Sequence, residues 1–350
     1  MRKFYILLLS VVFILSGCTK GQNIYKNDLP SMDDKIQIGM IFDTFVVERW
    51  QRDRDVFVST AMDLGAEVNV QNANGDVDEQ IALMEYFIKK KVDVIVVVPI
   101  ESSALLDTIK RAKEKGIKVV SYDRLAIGAG VDLYVSCDNE TVGRLMAEAM
   151  KSQLNCGDKV LMICGPNSDN NVSFVERGFK DGIEEAGLEI EAVYYTNEWH
   201  GEYAAEYIAG YIEQYGAKMQ DVKGIMCGND YLAGYVMSVL ARERLAGKVC
   251  VVSQDGDLEA CQRIVEGTQY MTVYKPVEKL AVEAAQASVS LARGEEVKTE
   301  NQIHDGVYMI PYIKLEPVAV TQENLDEKII ESGFHLEEDV YLNKPNLLEK

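Results

Sequence analysis

From Lys35 onward, short apolar runs alternate with longer amphipathic segments, and the whole rhythm is played twice. Apolar runs of this kind read as strands buried on both faces. Between them, apolar residues recur three and four positions apart, as on a helix that covers a sheet. Such a chain has few folds open to it, because parallel strands need a crossover and the helix is the crossover that buries their faces. The first series predicts strands over 36–42, 67–71, 94–98, 118–121 and 133–137, with helices near 48–64, 78–91 and 102–115. After Asp138-Asn139-Glu140 it restarts, with helices near 141–154, 172–186, 203–215, 231–243 and 258–266 and strands over 159–164, 191–196, 224–227, 248–253 and 270–274. A long helix over 276–291 follows, with Pro276 in its first turn, where a missing N–H costs nothing. The fold class is α/β, in two successive blocks that imply two lobes. Residues 302–320 read as short strands, and the acidic end of the chain shows no strong period.

The strands end in polar residues from both blocks. Ile38-Gly39-Met40-Ile41-Phe42 runs into Asp43, Ser121-Tyr122 into Asp123-Arg124, Cys227-Gly228 into Asn229-Asp230, and Ser253-Gln254 into Asp255. Asp and Asn after a strand serve equally as caps of the next helix. Their recurrence, with Arg49, Arg124 and Lys275 nearby, points instead to a polar ligand at the carboxyl edge of the sheets. The two tryptophans, Trp50 and Trp199, both sit in polar surroundings. That favours a flat apolar face for the C–H surface of a sugar over a place in the core.

At 350 residues the chain has room for about two domains, and its net charge of −20 argues against a nucleic-acid partner. Arg2 and Lys3 precede an apolar run closed by Leu15-Ser16-Gly17-Cys18, too short for a membrane span of roughly 20 residues. It looks like a bacterial lipoprotein signal, with lipidation at Cys18 and a polar tether over 18–34. The expected location is therefore extracytoplasmic, anchored to the cell membrane by lipid. The other six cysteines show no CxxC pair and no framework spacing, so buried free thiols are expected.

Enzymatic readings lack their motifs. There is no GxGxxG between strand and helix, no P-loop, no HExxH and no GxSxG, and His200, His304 and His335 are scattered. No catalytic residue, cofactor or metal is expected.

Glu48-Arg49-Trp50-Gln51-Arg52-Asp53, Gln71-Asn72-Ala73-Asn74-Gly75, Tyr122-Asp123-Arg124, Asp169-Asn170-Asn171, Gly228-Asn229-Asp230, Gln254-Asp255 and Thr272-Val273-Tyr274-Lys275-Pro276 occur in that order. Together they resemble the D-xylose-binding proteins of bacterial ABC importers, within the ribose/galactose type of periplasmic binding protein. The resemblance runs from about 35 to 321. It implies two Rossmann-like lobes with parallel sheets, joined by a three-crossover hinge and closing on one monosaccharide, D-xylose first. The implied lobes are 35–138 with 276–303 and 139–275 with 304–322, leaving a leader over 1–17 and an acidic tail over 323–350. The implied ligand residues are Arg49, Trp50, Asp123 and Arg124 on the first lobe. From the second come Asn170 or its neighbour Asn171, Trp199, Asn229 and Asp255, with Lys275 at a crossover. The implied partner is an ABC permease or, for a sensor, the ectodomain of a membrane histidine kinase. Two places depart from the family pattern: Phe42 to Val47, and His200-Gly201-Glu202-Tyr203 beside Trp199.

Overall fold

The computed structural model describes residues 35–46, 49–216 and 221–347. The expected leader, Cys18 and the tether lie outside them. The first block forms β1 (Ile36–Phe42), α1 (Arg49–Asp63), β2 (Ala66–Asn72), α2 (Val77–Lys90), β3 (Val94–Val97), α3 (Leu106–Glu114), β4 (Lys118–Tyr122) and β5 (Leu133–Cys137). The second forms α4 (Asn139–Gln153), β6 (Lys159–Cys164), α5 (Asn170–Glu185), β7 (Glu189–Tyr195), α6 (Gly201–Tyr215), β8 (Val222–Cys227), α7 (Asp230–Arg242), β9 (Cys250–Gln254), α8 (Leu258–Glu266) and β10 (Met271–Tyr274). Then come α9 (Val277–Ala292), β11 (Asn301–His304), β12 (Met309–Leu315) and β13 (Val318–Thr321).

Two sheets result, with strand orders β11-β12-β5-β4-β3-β1-β2 and β13-β10-β9-β8-β6-β7. All neighbours are parallel except β11 with β12 and β10 with β13. Both sheets reverse their strand order at the same place, between β1 and β3 in one and between β6 and β8 in the other. Outside the carboxyl ends of the strands at such a point lies the crevice where this architecture takes ligands.

The central strands are apolar throughout because helices cover both faces. All of β3 is buried, between α1 and α9 on one side (Phe57, Ala61, Leu280, Ala284) and α2 and α3 on the other (Met84, Phe87, Ile109). The second sheet is covered in the same way by α6 and α7, and by α4 and α5. Local signals agree with these helices. Asp76 caps α2 by accepting from the Glu79 amide at 3.0 Å, and α8 closes on Gly267 at φ 78°. Cys137, Cys164, Cys227 and Cys261 are buried free thiols, whereas Cys250 is half-buried and Cys156 is exposed, so the expectation of buried thiols fails there.

Three segments join the lobes, at 138, 275–276 and 316–317. The last of these corrects the boundary expected at 303/304. The strand β12 belongs to the first sheet, where it pairs with β5 and stacks Tyr312 on Tyr134 with ring centroids 4.7 Å apart. Only β13 passes to the second sheet, after Glu316-Pro317 has ended β12. The acidic end of the chain also differs from an extended tail. Leu325, Ile329, Phe334 and Val340 are buried against Cys261, Ile264 and Tyr274. They come from irregular helical turns, so their spacing follows neither the helix nor the strand period, and no periodicity marks them in the sequence.

Candidate ligand-binding site

The carboxyl ends of the two sheets face one another across a cavity that is partly open to solvent. Eight of the nine expected residues line it: Arg49, Trp50, Asp123, Arg124, Trp199, Asn229, Asp255 and Lys275. Asn170 does not. Its side-chain oxygen accepts from the Leu125 amide across the cleft at 2.9 Å, and Asn171 takes the lining position. Both are at the start of α5, so the N-terminal turn decides between them, and the sequence alone leaves that open.

Each lobe places an aspartate directly after its fourth strand in chain order. Asp123 follows β4 with φ 61°, and Asp255 follows β9 with φ 112°. Neither region suits an L-residue, and backbone strain of order 1–3 kcal/mol is held at such positions only when the surroundings determine them. The Asp123 carbonyl accepts from the Tyr134 hydroxyl at 2.8 Å, the Ser136 hydroxyl at 2.7 Å and the Asn171 amide at 3.0 Å. Beyond Asp255, the amides of Gly256 and Asp257 donate to buried Asp230 at 2.8 and 3.0 Å.

The buried charges form two neighbouring sets. Arg49 lies 2.9 Å from Asp123, 3.3 Å from Asp53 and 3.9 Å from Asp255. Arg124 bridges Asp43 at 2.6 Å and Asp169 of the other lobe at 2.7 Å, and Lys275 lies 3.2 Å from Asp255. Burial pushes the Asp123 carboxyl up, but Arg49, Lys275 and Arg124 outweigh it and hold its pKa below the ordinary value. Burial likewise acts to lower the Arg49 pKa, and Asp123, Asp53 and Asp255 raise it well above its usual value. Arg49, Arg124 and Lys275 therefore each have a carboxylate partner inside the protein.

What is left over is hydrogen-bonding capacity. Five buried side-chain polar atoms among the described residues have no hydrogen-bond partner, and three belong to side chains lining this cavity: the donor Trp50 Nε1 and the acceptors Gln254 Oε1 and Asp255 Oδ1. Lys275 neutralises Asp255 Oδ1 by charge without an aligned hydrogen bond. Trp50 is buried in the first lobe's core beside Phe42 and lines the cavity, with the Arg49 guanidinium 4.4 Å from its ring centroid. Trp199, half-buried, lies over Gly165, where an added Cβ would come within 2.3 Å of the indole. Its Nε1 donates to Asp169 at 3.3 Å.

Sequence reasoning left out Asp169, Gln254 and the floor made by Cys164, Gly165, Val172, Val175 and Met226. Asp169 and Gln254 stood inside the quoted motifs, but Asp169 reads first as a helix cap, which it also is. Asn229 plays both parts, capping α7 through the Leu232 amide at 2.9 Å while lining the cavity.

Residues 38–296 match the periplasmic binding protein domain. The chain belongs to that family. The D-xylose-binding periplasmic protein of Haemophilus influenzae is 38% identical over 310 residues, which cover 87% of this chain and 92% of the relative. Its namesake in Escherichia coli is 36% identical, with 93% and 98% covered. An ABC transporter solute-binding protein of Clostridium phytofermentans with bound β-D-glucose superposes with a TM-score of 0.80 at 26% identity, covering 87% of this chain and 99% of its own. The two lobes are those of a type I periplasmic binding protein, and the protein is a binding protein, not an enzyme.

Proposed function

We propose that this periplasmic binding protein captures a monosaccharide outside the cytoplasmic membrane, D-xylose before others, and presents it to an ABC permease from a lipid anchor at Cys18. The observation that carries the reading is the cavity's chemistry: paired charges, unpartnered donors and acceptors, and two indoles. A free cation in the cavity would call for an anionic ligand, whereas a self-neutralised network favours a neutral one. Sugar hydroxyls each donate and accept, so they match Trp50 Nε1 on one side and Gln254 Oε1 and Asp255 Oδ1 on the other. The relatives named for D-xylose binding support the choice of a pentose.

Binding works by closure in this reading. Arg49 with Trp50 and Asp123 with Arg124 belong to one lobe, Asn171, Trp199, Asn229 and Asp255 to the other, and a sugar engages both sets at once only with the lobes together. The closed pair of surfaces is what the membrane partner recognises. Titration calorimetry against a panel of pentoses and hexoses tests the ligand, with D-xylose expected to bind most tightly and failure of every pentose to bind overturning it. The mass of the N-terminal peptide from membranes tests the anchor, which requires a diacylglyceryl group on Cys18. Capture of a permease, as opposed to a histidine-kinase ectodomain, by the sugar-loaded protein tests the transport role.

A further inference from the structure

We propose that Phe334 and His335, in the segment after β13, are positioning residues for the site: they brace the Asp255 turn from behind and tie it to the pocket helix α1 of the opposite lobe. The proposal rests on the sugar-binding reading above.

The geometry converges on two adjacent residues. His335 Nε2 lies 2.7 Å from the Gly256 carbonyl oxygen, directly after Asp255. The Phe334 ring meets Tyr274 edge-on at 4.8 Å, and a Cβ added at Gly256 would touch it at 3.4 Å. Asp230 holds the same turn from its other side through the amides of Gly256 and Asp257. The Asp255 turn is thus gripped between an acidic side chain of α7 and the chain's C-terminal segment.

The same phenylalanine reaches the first lobe. Arg52 stands one helical turn beyond Arg49 on α1, its guanidinium 4.5 Å from the Phe334 ring centroid and donating to the Phe334 carbonyl. Arg52 also pairs with Glu278 of α9 at 2.6 Å, and Glu278 accepts from the Tyr274 hydroxyl at 3.2 Å. These contacts surround the crossing at 275–276, where Lys275 enters the cavity. Arg52 is half-buried and does not line the cavity, so its bonds to Phe334 count for the relative placement of the lobes and not for direct contact with sugar.

In this proposal the Arg52–Phe334 contact forms only with the lobes together, so it raises the population of the binding-competent form, and apparent affinity scales with that population. The full-length protein with Arg52→Gln, and separately with Phe334→Leu, is expected to bind D-xylose about tenfold more weakly, as a shift of that size in the competent fraction requires. Stopped-flow tryptophan fluorescence should place the loss in faster release with an unchanged association rate. Phe334→Tyr keeps the ring and should restore wild-type release. Arg52→Gln touches a half-exposed side chain, so it guards against loss of folding in the Phe334 variant. Spin labels, one on each lobe, should show a wider distance distribution without sugar in both disruptive variants. Wild-type affinity, release and label distances in Arg52→Gln and Phe334→Leu would reduce the segment to ordinary packing and overturn the proposal. If the wild type binds no monosaccharide, the sugar-binding reading falls, and the label distances still decide the brace.

Discussion

Asp123 and Asp255 occupy corresponding places in the two lobes, each just after a strand and each with positive φ. Their counter-charges make them costly to remove. Asp255→Ala would leave Lys275 and Arg49 short of a buried partner, and we expect sugar affinity to fall by about 2–5 kcal/mol, measured by calorimetry. The depressed pKa of Asp123 sets a pH window. A carboxylate whose pKa is lowered on folding stabilises the native state above its unfolded value near 4, and that contribution is lost as pH falls through the folded value. Stability assigned to Asp123 should therefore be level from pH 8 to about 5 and decline below about 4, and Asp123→Asn should flatten the acid limb of a denaturation series. Gly165 is the third residue to probe. Its Cβ would displace the Trp199 indole, so Gly165→Ala should cost at least tenfold in affinity, about 1.4 kcal/mol, with a melting temperature near wild type. An unchanged calorimetric isotherm would count against a role for that indole.

Among the elements, α4 and α5 approach more closely than ordinary side chains permit. A Cβ on Gly143 would lie 2.0 Å from the Val175 carbonyl oxygen, and one on Gly178 the same distance from that of Glu140. Backbone cannot yield as a flexible side chain does, so Gly178→Ala should destabilise the protein by about 3 kcal/mol or more, read as a lower urea midpoint. The approach matters for the site, since α5 opens with the Asp169-Asn170-Asn171 turn that meets Arg124, Leu125 and Asp123 of the other lobe. The helix was legible from its apolar spacing. Its closeness to α4 was not, because a glycine in a helix carries no signal about what lies across from it.

For the whole molecule, a ligand that binds only the folded protein adds stability by mass action. Saturation with D-xylose at 100 times Kd should add about 2.7 kcal/mol, seen as a rise in melting temperature that glycerol at the same concentration does not reproduce. The architecture behind that response was largely written in the sequence. Strand β1 ends where its apolar run over 38–42 ends, because burial on both faces demands an unbroken run and Asp43 stops it. The two-block rhythm determined two parallel sheets, and the strand ends supplied most of the cavity's polar lining. Only the tertiary structure decided which of Asn170 and Asn171 faces the cavity, that β12 stays in the first sheet beside β5, and that the acidic C-terminal segment packs beside the Asp255 turn. Each of those depends on contacts between residues far apart in the chain. A local pattern records whether a side chain is buried, but not which distant surface buries it.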